Sequence, residues 1–165
     1  MTFEEAVDHL DSPSTWCEGA AALARIGGRD ALLALIRAYE QPIEASKLCL
    51  LDALEALSPV SAARELVDDG NTEERRLGIH LMELFADESY LGRLQAAAGD
   101  ADPRIRAQAR RSLQAQYRTP AWEETVTALL RGDEDAQAMA VDALAGRKTT
   151  TAEAALAEYF AAKRA

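Results

Sequence analysis

Four side chains in this sequence have the chemistry for nucleophilic, redox or metal work: Cys17, Cys49, His9 and His80. A thiolate beside an imidazole could attack a carbonyl, and closely spaced cysteines and histidines could hold zinc or run a dithiol cycle. The spacing supports neither. Cys17 and His80 lie far apart in the chain, no acid is placed to orient the imidazole, and no two of the four stand at motif spacing. Two reduced thiols are therefore expected. The run Asp133-Glu134-Asp135 gathers carboxylates as a calcium loop does, but it lacks that loop's glycine and distal glutamate. It reads better as the acidic start of a helix. Arg104, Arg106, Arg110, Arg111 and Arg118 crowd one short stretch. They read as the solvated face of one helix with Arg106 paired to Asp102, or as a patch for an acidic protein segment. No catalytic, cofactor-binding or metal-ligating residue is assigned, and a non-enzymatic role is expected.

Composition sets the scaffold behind these residues. Apolar residues make up 48% of the 165, enough for one domain with a sizeable core. Alanine and leucine abound, aromatics are 5%, and β-branched residues are sparse, a balance that favours helix over strand. The net charge is −10, which repels phosphate backbones and excludes duplex nucleic acid as a general ligand. Residues 1–82 hold most of the excess, with 15 acids against 7 bases. The opening MTFEEAVDHL is acidic and short of apolar residues, so neither a signal peptide nor a membrane span is expected and a cytoplasmic location follows.

A beat of about 31 residues runs through the chain. Leu23, Leu54, Met82, Leu113 and Leu144 recur at spacings of 31, 28, 31 and 31, with the one slip before Asn71. Four positions before each marker stand Gly19, Leu50, Gly78, Ala109 and Ala140. The mostly small residues there let a neighbouring helix approach closely. Eleven before it stand Ser12, Ile43, Asn71, Asp102 and Asp133, four of them good N-caps. Twelve past it stand Leu35, Leu66, Leu94, Thr125 and Leu156, with the threonine as the break. The pattern predicts a lone opening helix over 3–10, capped by Thr2 and Glu5. First helices are expected over 13–26, 44–57, 72–86, 103–116 and 134–145, and second helices over 29–40, 60–69, 88–98, 120–131 and 151–163. One domain, 1–165, is expected to hold repeats at about 11–41, 42–69, 70–100, 101–131 and 132–165.

Asp102, Pro103, Arg104, Ile105 and Arg106, continued by Leu113, and residues 28–39 in the second-helix position resemble the HEAT-repeat family in its short bacterial PBS-lyase HEAT-like form. The resemblance implies an all-α fold: a right-handed α-α superhelix, or solenoid, of about five two-helix repeats with one extra N-terminal helix. The column of the family's arginine reads Trp16, Lys47, Arg75, Arg106 and Gln137, so the terminal repeats lack the base. HEAT-like hydroxylases hold iron with His-Glu pairs. Here the pairs are His9-Leu10 and His80-Leu81. HEAT-like DNA glycosylases bind duplexes on arginine clusters, an analogy that the charge of −10 opposes. In the family the second helices line the concave side. That placement, with helical phase, puts Arg37, Arg64, Asp68, Glu123, Thr127 and Glu158 on a docking surface. Trp16 replaces a charged family position. It is either an exposed binding hot spot or packed against the opening helix, the latter being favoured. Trp122 shares an apolar stripe with Val126 and Leu129 and reads as core.

The expected role is a scaffold or adaptor, a monomer that binds another protein on its concave face and carries no cofactor. The partner is expected to be basic, not nucleic acid and not a membrane. Two alternatives stand beside it: an acidic inhibitor or immunity-type protein that neutralises a basic enzyme, and, on the family name alone, a bilin lyase-like enzyme.

Overall fold

The computed structural model describes residues 1–42, 47–115 and 119–164. It is all-helical, and no strand occurs among the described residues. The chain forms two compact units, Met1–Leu81 and Met82–Ala165.

The first unit opens with α1 (Phe3–Asp8) and a 3-10 turn (His9–Asp11). Both halves of the capping box expected at Thr2 are present: the Thr2 hydroxyl accepts from the Glu5 N–H, and the Glu5 carboxylate accepts from the Thr2 N–H. There follow α2 (Trp16–Ile26), α3 (Gly28–Glu40), α4 (Leu48–Glu55), α5 (Pro59–Asp69) and α6 (Thr72–Leu84), the last running across the boundary between units. Gly27 alone separates α2 from α3. Its φ of 73° lies in the left-handed region that glycine enters without penalty. Ser58 makes a comparable turn at φ 54°, with Pro59 opening the next helix. α2 packs on α1, α3 and α4. The small column residues do what their size suggests. A Cβ added to Gly19 would lie 2.6 Å from the Ala6 carbonyl oxygen, and one added to Gly78 would lie 2.9 Å from Leu66 Cβ. The helices can meet this closely only because nothing projects there.

The second unit holds a 3-10 turn (Glu88–Tyr90), α7 (Leu91–Ala97), α8 (Pro103–Ala115), α9 (Pro120–Ala128), a 3-10 turn (Leu129–Arg131), α10 (Glu134–Ala145) and α11 (Thr150–Arg164). It is built in two layers. α8 packs on α10 in one, while α9 packs on both α7 and α11 in the other. The marker residues form the spine of the core in both units: Leu23, Leu54, Met82, Leu113 and Leu144 are all fully buried. Burial of this kind, rather than helix propensity, supplies most of the stability of such short helices.

Four expectations need correction or completion. The N-cap of α2 is Thr15 and not Ser12. The Ser12 carbonyl accepts from the Thr15 N–H and the Thr15 hydroxyl donates to the His9 carbonyl, so residues 12–15 form a turn and the helix starts late. In α9 the buried stripe is the expected Trp122, Val126 and Leu129, which lies one residue on from the column position held by Thr125. Arg106 does not pair with Asp102. Its guanidinium donates to the carbonyls of Asp100 and Ala101, and Asp102 pairs with Arg104 at 3.6 Å. The expected cap Ile43 and Arg118 of the arginine cluster lie outside the described residues. Asn71, Asp102 and Asp133 do cap their helices.

Candidate functional site

The nucleophile candidates are spoken for. Cys17 and Cys49 form a disulfide, with Cα atoms 5.4 Å apart, so the expectation of two reduced thiols is corrected. The bond ties α2 to α4. His80 packs its ring against Tyr39, centroids 5.9 Å apart, and His9 Nδ1 lies 3.7 Å from the Glu18 carboxylate. The acidic run is used in structure. Asp133 caps α10 by accepting from the Ala136 N–H and also takes two hydrogen bonds from Arg110, at 2.8 and 2.9 Å. Those bonds hold its carboxyl below the usual aspartate range, the Ala136 amide more than Arg110. The arginine cluster is dispersed in the same way. Arg110 is buried and also donates to the Ala98 carbonyl, and Arg111 donates to Gln108. Among the described residues no three metal-binding side chains converge.

What remains are grooves. In the first unit, α1 with its 3-10 turn and α3 enclose a groove of about 530 Å³. Phe3, Val7, Leu10, Leu33, Ala34 and Ala38 make its apolar lining, and Asp11, Asp30, Arg37 and Gln41 add its polar part. A smaller one of about 200 Å³ lies between α3 and α5, beside the Arg29–Glu74 ion pair at 3.1 Å. In the second unit, α9 and α11 form a third of about 240 Å³, lined by Thr127, Leu130, Arg131, Glu158 and Tyr159 among others.

The sequence-derived docking residues divide accordingly. Arg37 lines the largest groove, and Thr127 and Glu158 share the third. Arg64 is half-buried and Asp68 exposed on α5, outside these grooves. Two placements are overturned. Trp16 is 1% exposed, in keeping with the favoured packed reading, and as a hot spot it offers no surface to a partner. Glu123 is 4% exposed and faces Arg147 and Thr149, each 2.9 Å away. Burial pushes the Glu123 carboxyl up, but the hydrogen bonds from Thr149 and Arg147 outweigh it and leave it below the ordinary glutamate value. A carboxyl depressed on folding stabilises above its unfolded pKa, and the contribution is lost as pH falls through the folded value. Glu123→Gln is expected to lower Tm at pH 7 by roughly 2–4 °C and to narrow the gap between Tm at pH 7 and pH 3, read by calorimetry.

Sequence reasoning missed Phe3, Val7, Leu10, Asp11 and Asp30. A signal was present: Phe3, Val7 and Leu10 are spaced as one helical stripe on a helix outside the repeat. No helix among the described residues is long and apolar enough to cross a membrane. No protein-family model matches the chain, and no curated protein matches it.

Proposed function

We propose that this chain is a HEAT-like α-solenoid, its helix pairs forming a right-handed superhelix, that serves as a non-catalytic binding module for another protein. The partner docks along the second helices α3, α5, α9 and α11. One observation carries the reading: in each unit, consecutive second helices leave an open groove between them, α3 with α5 and α9 with α11. The two-layer packing of the second unit supports the solenoid, because first helices stack on first helices and second on second. Shape would supply affinity, and charge would set specificity and on-rate. The acid excess of residues 1–82 favours a basic partner, which also suits the inhibitor reading. Of the two supports for a cytoplasmic location, the reduced thiols are gone, and the disulfide favours an oxidising compartment.

The test places a photo-cross-linking residue at Arg64 or Glu158 on second helices, and at Glu18 or Arg104 on first helices, in cells that express the chain. The expected outcome is one discrete protein adduct from the second-helix sites and none from the others. Equal adducts from both sets, or none, would overturn the docking face. Adducts that vanish at high salt would favour an inhibitor of a basic enzyme.

A further inference from the structure

The groove between α1 and α3 carries more information than its volume. On α1 and its 3-10 turn, Phe3, Val7 and Leu10 form an apolar stripe that lines the groove, with Leu33 of α3 also in its lining. One position further on, Glu4, Asp8 and Asp11 form a parallel acidic stripe, and all three are exposed. Asp30 adds a fourth carboxylate on the side of α3. None of these four acids has a cation within ion-pair distance among the described residues, although the same unit pairs Glu40, Glu73 and Glu74 with arginines. Acids left unpaired beside an apolar floor are complementary to a ligand that brings both grease and positive charge.

We infer that this groove docks an amphipathic, lysine- or arginine-rich helical segment of a partner protein. The segment's apolar stripe sits on Phe3, Val7 and Leu33, and its flanking cations face Asp8, Asp11 and Asp30. This is the helix-in-groove mode of recognition, in which residues at i, i+3 and i+4 supply the anchors. Arg37, the one cation in the groove's lining among the described residues, disfavours a cation on its own side and thereby sets the segment's direction. The inference rests on the binding-module reading and adds to its second-helix face a further groove with one ligand chemistry.

The probe is a fluorescein-labelled Leu/Lys peptide of about fifteen residues, patterned for a single apolar stripe, titrated into the oxidised full chain. Controls are a Leu/Glu peptide of the same pattern and a Leu/Lys peptide shuffled to destroy the stripe. The expected outcome is micromolar binding of the patterned cationic peptide alone, with amide chemical-shift changes confined to α1 and α3. Asp11→Asn/Asp30→Asn is expected to weaken it about tenfold, whereas Glu134→Gln/Asp135→Asn in the second unit, an equal change of charge, leaves it within about twofold. Val7→Ser, verified as folded by circular dichroism, is expected to weaken it without altering its salt dependence. Equal binding of the patterned and shuffled peptides, or equal loss in both charge pairs, would show general attraction to an acidic protein and overturn the inference. So would an absence of binding. Neither result touches the cross-linking experiment at Arg64 and Glu158, so the two readings fail separately.

Discussion

Cys17→Ser/Cys49→Ser is expected to cost the first unit roughly 3–4 kcal/mol, the largest effect accessible by changing two side chains outside the core. The disulfide spans a sequence separation of 32 and closes a loop that contains all of α3. Removing it restores that loop's freedom to the unfolded chain, and the logarithmic dependence on loop length gives the magnitude. Cys17 is exposed and Cys49 half-buried, so a mild reductant should reach the bond without prior unfolding and reproduce the effect in the unaltered chain. Tm by calorimetry, with and without dithiothreitol, checks the result. The far-UV helix signal should persist at room temperature, because Leu23, Leu54 and the α1–α2 contact remain. Free thiols detected by mass spectrometry in the unreduced chain, or an unchanged Tm after reduction, would refute the expectation.

The second large effect lies in the other unit. Trp122→Ala is expected to destabilise it by about 3–5 kcal/mol. The indole is fully buried, its Nε1–H donates to the Leu113 carbonyl, and the Arg147 guanidinium lies 5.8 Å from its ring centroid. Truncation leaves a cavity, removes the indole's hydrogen bond to the Leu113 carbonyl, and leaves an Arg147 that must hold Glu123 without its aromatic support. Trp122→Phe should cost less, since it keeps most of the volume and loses only the donor. The chain's two tryptophans fall one to each unit, so in Trp122→Phe the remaining emission comes from Trp16 and reports the first unit alone. If Trp122→Ala lowers Tm by less than about 5 °C, the indole is not central to the core.

Much of this architecture was legible because burial demands periodicity. The marker column holds Leu, Leu, Met, Leu, Leu, and every member is buried, so a long unbranched or γ-branched apolar residue at a nearly constant beat located the core. The helix starts at Asn71, Asp102 and Asp133 were readable from their capping chemistry. The misses came where backbone detail outranks pattern. At residues 12–15 hydrogen bonds to His9 and Ser12 make a turn that no column shows, and α2 starts at Trp16 rather than at Pro13. In α9 the side chains that cover Glu123, Arg147 and Thr149, are distant in sequence and no column shows them. The disulfide was within reach. Cys17 precedes its marker by six residues and Cys49 by five, so they occupy nearly equivalent places on first helices of successive repeats. Spacing close to one beat, rather than motif spacing, was the relevant signal. Of the candidate site, Arg37 was found because it lies on a second helix. The groove's other side was missed because α1 stands outside the repeat.

Lys47, Arg106 and Gln137 share one column, and each donates to main-chain oxygens earlier in the chain: Tyr39 and Gln41, Asp100 and Ala101, and Gly132. The donor is a side chain, but the acceptor belongs to the peptide group and is present whatever residues precede it. A joint of that kind needs no matched partner. A helix tied down in this way tolerates substitution in the residues before it, because the oxygen that holds it stays in place whatever side chains change there.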